Sequence, residues 1–285
     1  MTTDIYILLP VHNRRALTQE FVKCLSSQID RNYHLVLIDD GSTDGTAGMV
    51  KDVIPNATVL EGHGNWWWAG SLQQGLNWLK KKKISGDTLI LFINDDVVFA
   101  PDYLQRARRY MAGKQGTMVL SRTRSRESGE ILETGIVADM RNFRFKIAAS
   151  SGKINCLSTR ALFVYWADIQ KIGDFHTLVL PHYGSDYEYT YRGYRKGLAC
   201  ETSSELVIET NELTSGYREH NEAGLGDFLK NYFSKKSPHN PVYLSALLIL
   251  TASPLWIVVN LARIWGNAGF AVFRKMFSSH YSNSG

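Results

Sequence analysis

Short apolar runs alternate with helical patterns through roughly the first 120 residues of the chain. Runs at 5–9, 34–39, 57–60, 88–93 and 117–121 are rich in Ile, Leu and Val, as buried strands are. Between the first two, Ala16, Leu17, Phe21, Val22 and Leu25 recur at helical spacing. Leu72, Leu76 and Leu79 mark one face of a second helix over about 69–82. Strands alternating with helices predict an α/β fold, a mainly parallel sheet flanked by helices. From 122 to 160 the pattern loosens, with short strands expected near 131–137 and 143–147. Apolar residues return at Ala161–Trp166, and a helix is expected over Asp186–Lys196.

The pattern changes near 227–241, where Lys, Ser, Pro, His and Asn cluster. Val242–Ala262 then runs 21 residues without a charge, long enough to cross a bilayer. Pro254 should kink or split any helix there. Ile264–Phe277 mixes Trp265, Phe270, Phe273 and Phe277 with Arg274 and Lys275. Residues 228–285 hold six basic side chains and no acidic one, whereas the rest of the chain carries 26 basic and 27 acidic groups. The net charge of +5 therefore resides entirely in the last fifth. Basic flanks and aromatic anchors suit an anionic cytoplasmic leaflet better than nucleic acid. Core helices packed on the preceding domain are the alternative. The expected division is a catalytic domain at 1–227 and a membrane-associating helical segment at 228–285, spanning the bilayer or lying on it.

Composition adds little. An apolar fraction of 44% with 21% charged residues describes an ordinary folded protein. Three dispersed cysteines (Cys24, Cys156, Cys200) fit neither a disulfide framework nor a zinc site, so a cytoplasmic setting is expected. Ile5–Leu9 is too short for a signal-peptide core.

The candidate chemistry sits at strand ends. The run 88–93 leads straight into Asn94-Asp95-Asp96. Adjacent carboxylates at the end of a buried strand are costly unless something positive sits on them. Mg²⁺ or Mn²⁺ carrying a diphosphate suits such a pair, at the sheet edge where α/β proteins bind ligands. Strand 34–39 likewise delivers Asp39-Asp40 into Gly41-Ser42-Thr43-Asp44-Gly45, where a carboxylate can accept from a base N–H or a ribose hydroxyl. Trp66-Trp67-Trp68 precedes a helix; packing over the sheet accounts for each ring as well as stacking on a base, sugar or acceptor does, and Trp68 is the stacking candidate. In Pro181-His182-Tyr183-Gly184-Ser185-Asp186-Tyr187-Glu188, Asp186 is either a helix cap or a general base. Asp186 and Glu188 lie two apart, so only one should face a cleft.

Taken in order, these motifs resemble glycosyltransferase family 2, inverting enzymes of the GT-A fold, over roughly residues 3–200. Ile7–Asn13 resembles the family's opening strand and nucleotide loop, Val36–Ser42 its base-side acidic motif, Asn94–Asp96 its metal motif and Gly184–Asp186 its catalytic-base motif. The resemblance implies transfer of a hexose or deoxyhexose from a nucleotide-diphosphate sugar to a hydroxyl of a glycan or lipid-linked acceptor in cell-surface polysaccharide synthesis. It implies Asp186 as base, and Pro10, His12, Asn13, Asp39, Asp40, Trp68, Asn94, Asp95 and Arg218 as substrate contacts. It further implies Asp96, with His220, toward Mn²⁺ or Mg²⁺. Two departures stand out. Asn94 occupies a usually acidic position, which throws metal binding onto Asp96, and Ser185 replaces a usual Glu beside the base. A silent sugar-nucleotide binder or scaffold, and a nucleotidyltransferase, are the rival readings. A chain ending near Asp227 is expected to bind donor and fail in transfer.

Overall fold

The computed structural model describes residues 4–148, 153–212 and 224–281, with side chains to 277. Its centre is a mixed sheet in the order β3-β2-β1-β4-β10-β6-β11-β5. The amino-terminal half is parallel, as the sequence pattern predicts: β1 (Ile5–Val11) lies between β2 (Tyr33–Asp39) and β4 (Leu89–Ile93), with β3 (Thr58–Glu61) outside β2. The other half departs from it. β10 (Ala161–Tyr165) runs antiparallel between β4 and β6 (Thr117–Ser125). β11 (Ala199–Thr210) returns parallel to β6, with the two-residue β5 (Val97–Val98) antiparallel on its far side and β7 (Ile131–Glu133) paired to β6. A separate hairpin joins β8 (Ile136–Asp139) and β9 (Arg144–Ile147).

Alternation along the strands builds a core on each side of the sheet. Ile5, Ile7, Leu9 and Val11 face α1 (Arg15–Ser26), α2 (Thr46–Val53) and α4 (Tyr103–Met111). Leu8, Val36, Ile38, Ile90 and Phe92 face α3 (Trp67–Lys82), α5 (Trp166–Ile172) and α6 (Ser185–Arg195).

Pro254 does split the carboxyl-terminal apolar stretch. α8 (Pro241–Thr251) stops short of it and α9 (Pro254–Tyr281) begins on it, Pro being tolerated at a first helical position. α7 (Leu225–Tyr232) straddles residues 227 and 228. α8 and α9 belong partly to the fold: Leu248 and Ala252 are buried in a third core with Ile136, Ala138, Met140 and Cys156. Asn260 and Arg263 donate to the Arg141 and Asn142 carbonyls, and Arg141 lies 4.7 Å over the Trp256 ring. The outward flank is bare, with Leu255 and Val258 over 70% exposed beside Val259, Trp265, Phe270, Phe273 and Phe277. Pro254–Phe277 is long and apolar enough to cross a membrane, by length and composition alone.

Candidate active site

Parallel register decides which loops meet. Val11 pairs with Asp39 and Leu8 with Phe92, so the loops after β1, β2 and β4 leave the same sheet edge. Antiparallel β10 brings its amino-terminal side there too, Ala161 lying opposite Ile93 and the Asn94 N–H donating to the Arg160 carbonyl (2.9 Å). A cavity of about 630 Å³ opens at this edge, lined by Arg14, Trp68, Asn94, Asp96, Ser158, Thr159, Arg160, Asp186 and Tyr187 among others.

Asp186 reaches the cavity through the start of α6. Gly184 precedes that helix at φ +81°, a conformation that favours glycine, and a β-carbon on it would approach Leu247 to 3.2 Å. One turn on, the Thr190 hydroxyl donates to the Leu157 carbonyl (2.8 Å) and accepts from the Leu157 N–H (3.0 Å). That tie sets α6 against the segment leading to Arg160. The Asp186 carboxylate accepts from the Tyr187 N–H (2.9 Å). Burial pushes its carboxyl up to about 7; nearby Glu133 adds to the rise, while the Tyr187 amide and Arg160 oppose it. Glu188 points the other way, buried against Arg192 (2.8 Å), as the two-residue spacing predicts.

Asp95 and Asp96 do carry a positive group, one that sequence reasoning missed. Arg14 spans the pair, its two terminal nitrogens 3.3 Å from Asp95 Oδ1 and 3.3 Å from Asp96 Oδ2. The Thr18 hydroxyl donates to Asp95 Oδ2 (3.0 Å). Burial raises the Asp95 carboxyl to about 6 against the pull of Arg14. The signal was present in the chain: a cation directly after a strand-end loop, and two carboxylates needing one. Asp96 Oδ1 and Asn94 Oδ1 are buried without a hydrogen-bond partner among the described residues, and both residues line the cavity. Among the described residues no cluster of three or more His, Cys, Asp or Glu could enclose a metal ion. Bare oxygens on Asp96 and Asn94 nonetheless suit a hard cation that takes its other ligands from phosphate and water.

Asp40, expected as a substrate contact, has its carboxylate engaged within the chain. Its Oδ1 accepts from the Gly64 and Asn65 N–H groups (2.8 and 3.1 Å) and its Oδ2 from Trp66 and Trp67 (2.8 and 3.0 Å). Four backbone amides occupy the carboxylate and cap the start of α3. Asp39 accepts from the Ser42 N–H on one oxygen (2.8 Å). Asn13 receives the Thr43 N–H (2.8 Å), and His12 Nδ1–H donates to the Asp40 carbonyl (2.6 Å). These residues gather in a loop cluster that does not wall the main cavity. Pro10 is buried within β1, opposite Ile38. Trp68 both packs on the core and reaches the cavity, its indole N–H donating to Thr159 (2.9 Å). Arg218 and His220 lie outside the described residues.

The carboxyl-terminal segment supplies a wall of the same cavity through Ser237, Pro238, Tyr243, Leu244 and Leu247. Lys235 sits 5.4 Å over the Trp67 ring. Removing everything past 227 would therefore open the cavity as well as strip the exposed helices.

The sequence profile of Glycosyl transferase family 2 matches residues 6–161, more than half of the chain. The chain belongs to that family. No curated protein matches it in sequence. Among solved structures, S. aureus TarS 1–349 in complex with UDP superposes with a TM-score of 0.58 at 16% identity, over 92% of this chain and 71% of that one. The mannosyltransferase PcManGT from Pyrobaculum calidifontis, in complex with GDP-Man and Mn²⁺, superposes at 0.55 and 17% identity, over 99% and 80%. The likeness shows a GT-A architecture. The chain spans 43% of the longer TarS crystal structure, to which it is 16% identical at a TM-score of 0.56.

Proposed function

We propose that this glycosyltransferase moves a hexose or deoxyhexose from a nucleotide-diphosphate sugar to an acceptor hydroxyl with inversion, in the making of a cell-surface polysaccharide. One observation carries the reading: Asp186, a carboxyl raised to about 7, opens into the same cavity as the bare Asp96 oxygen and the Arg14 guanidinium. TarS in complex with UDP and PcManGT in complex with GDP-Man support a donor of this class.

In this reading Asp186 takes the proton of the acceptor hydroxyl. The oxygen forms its bond to the anomeric carbon as the bond to the β-phosphate oxygen breaks on the opposite face, and the nucleoside diphosphate leaves with that electron pair. Arg14 offers its charge to the diphosphate. Asp39 takes the polar edge of the base, a role that Asp40 yields because its oxygens are occupied, and His12 and Asn13 hold the loop beside it. Trp68 stacks on donor or acceptor, and Asp95 lies toward the ribose or sugar. Asp96, helped by the Asn94 carbonyl oxygen, would hold Mn²⁺ or Mg²⁺, which supplies charge neutralisation to the leaving group. Arg218 and His220 are proposed to close over the phosphates, with His220 as a further metal contact.

The acceptor is proposed to be a glycan or a lipid-linked one at the inner face of the cell membrane. The bare apolar flank of α9 and the acid-free basic segment support this. Because α9 is clamped along one flank to the β8–β9 hairpin, it is proposed to lie in the interface, with 1–227 as catalytic unit and 228–285 as anchor and cavity wall.

The test is a screen of UDP-, GDP- and dTDP-sugars with Mn²⁺ and with free and lipid-linked glycans, following nucleotide release and the anomeric configuration of the product. Release of one nucleoside diphosphate, lost on chelation, with an inverted product is expected. A retained configuration would refute inversion, and donor binding without turnover would favour the silent binder.

A further inference from the structure

The Asp95–Asp96 pair already holds one positive charge from the chain itself, which bears on how a metal can reach it. Arg14 caps α1 at the end of the loop after β1. Its carbonyl accepts from the Thr18 N–H (3.0 Å), so the backbone is held and the side chain is the mobile part. The guanidinium gives one nitrogen to each carboxylate, at 3.3 Å, instead of forking onto one. Those distances exceed the ~2.7–2.9 Å of a tight charge-assisted bond. The arginine side chain is 34% exposed where the carboxylates are 3%. The two acids differ in what else holds them. Asp95 has the Thr18 hydroxyl on its second oxygen, whereas Asp96 Oδ1 has no partner among the described residues.

We propose that Arg14 is an internal counter-cation that occupies the Asp95–Asp96 site until donor arrives, and so couples metal binding to diphosphate binding. The inference rests on the metal-dependent reading given above. A divalent cation placed on Asp96 with the guanidinium still on the pair brings like charges within a few ångströms in a buried site. The repulsion weakens metal binding to the free protein. A diphosphate removes the conflict, because it takes ligand positions on the metal and draws the exposed guanidinium toward its own oxygens. The metal is then bound tightly only with nucleotide, and by linkage nucleotide only with metal. Thr18 keeps Asp95 in place while Arg14 turns away, so the vacated acid is not left without a partner.

The test is Mn²⁺ binding by the full chain, read from the electron paramagnetic resonance signal of free Mn²⁺, with and without UDP or GDP. Arg14→Gln should bind Mn²⁺ about tenfold more tightly than wild type when no nucleotide is present, and its gain in Mn²⁺ affinity on adding nucleotide should shrink by a similar factor. Since removing the arginine strands a buried acid, the double variant Arg14→Gln/Asp95→Asn provides a charge-balanced check and should show the same loss of coupling. Unchanged or weaker Mn²⁺ affinity in both nucleotide-free variants, with wild type taking up the metal, overturns the role of Arg14 alone. Failure of wild type to take up Mn²⁺ even with UDP or GDP overturns the metal reading and this inference with it.

Discussion

Replacing Asp186 by Asn should make the protein more stable and nearly inactive at once. The carboxyl titrates at about 7 in the folded chain because burial disfavours its charge. In the unfolded chain it titrates near its ordinary value of about 3.9. A folded pKa above the unfolded one means stability that is complete below about pH 4 and is lost as the pH rises through 7. The full difference is worth at most ~4 kcal/mol, and the partial exposure of Asp186 reduces that to roughly 2 kcal/mol. Asn keeps the acceptor oxygen for the Tyr187 N–H and carries no charge to desolvate. Asp186→Asn should thus melt ~4 °C above wild type at pH 8, at about 2 °C per kcal/mol for a chain of this size, with the gap closing toward pH 4. A base must be deprotonated to act, so kcat/KM of wild type should rise through a midpoint near 7, and the variant should lose ~10²–10⁴-fold in kcat with donor affinity kept. Differential scanning calorimetry across pH, beside a nucleotide-release assay, measures both. A variant that melts lower than wild type at pH 8, or retains more than a tenth of the activity, would refute the assignment.

Three further outcomes are expected. Asp40→Asn takes the anionic acceptor from all four backbone amides and leaves two of them facing an NH₂ donor, so urea titration should show a loss of ~2–3 kcal/mol; a loss below ~0.5 kcal/mol would contradict the capping role. Gly184→Ala places a β-carbon at φ +81° and 3.2 Å from Leu247, which should destabilise by ~1–2 kcal/mol and lower kcat by displacing Asp186. The Leu255→Ser, Val258→Ser, Phe270→Ser triple variant alters only outward residues. It should bind anionic vesicles at least ~100-fold more weakly in a sedimentation assay, at ~1.5–3 kcal/mol per fully buried side chain, with nucleotide-sugar hydrolysis intact; equal vesicle binding would remove these residues from the proposed anchor.

The legible part of the fold was the part with local periodicity. Ile5–Leu9, His34–Asp39 and Thr88–Ile93 read as buried strands because both of their faces meet core, and the parallel half of the sheet follows from the helices between them. β10 gave no comparable sign of its direction. Antiparallel or parallel, Ala161–Tyr165 would be equally apolar, and only pairing with Ile93 turns Arg160 toward the cavity. The same limit explains Asp40. A strand-end acid reads alike whether its oxygens meet a ligand or four amides from residues 64–67.

By itself the sequence determined which residues could carry charge to the sheet edge: Asp39 and Asp40, Asp95 and Asp96, and Asp186 at the head of a helix. It also determined that the acid-free carboxyl-terminal fifth would differ from the rest, because charge and hydropathy are local properties. Only the tertiary structure decided who neutralises whom. Arg14 spans two acids some eighty residues away, Glu133 and Arg160 set the surroundings of Asp186, and α8 walls the cavity while α9 turns an apolar flank outward. Burial and pairing arise between segments distant in the chain, and a carboxylate's acidity depends on those neighbours more than on its own chemistry.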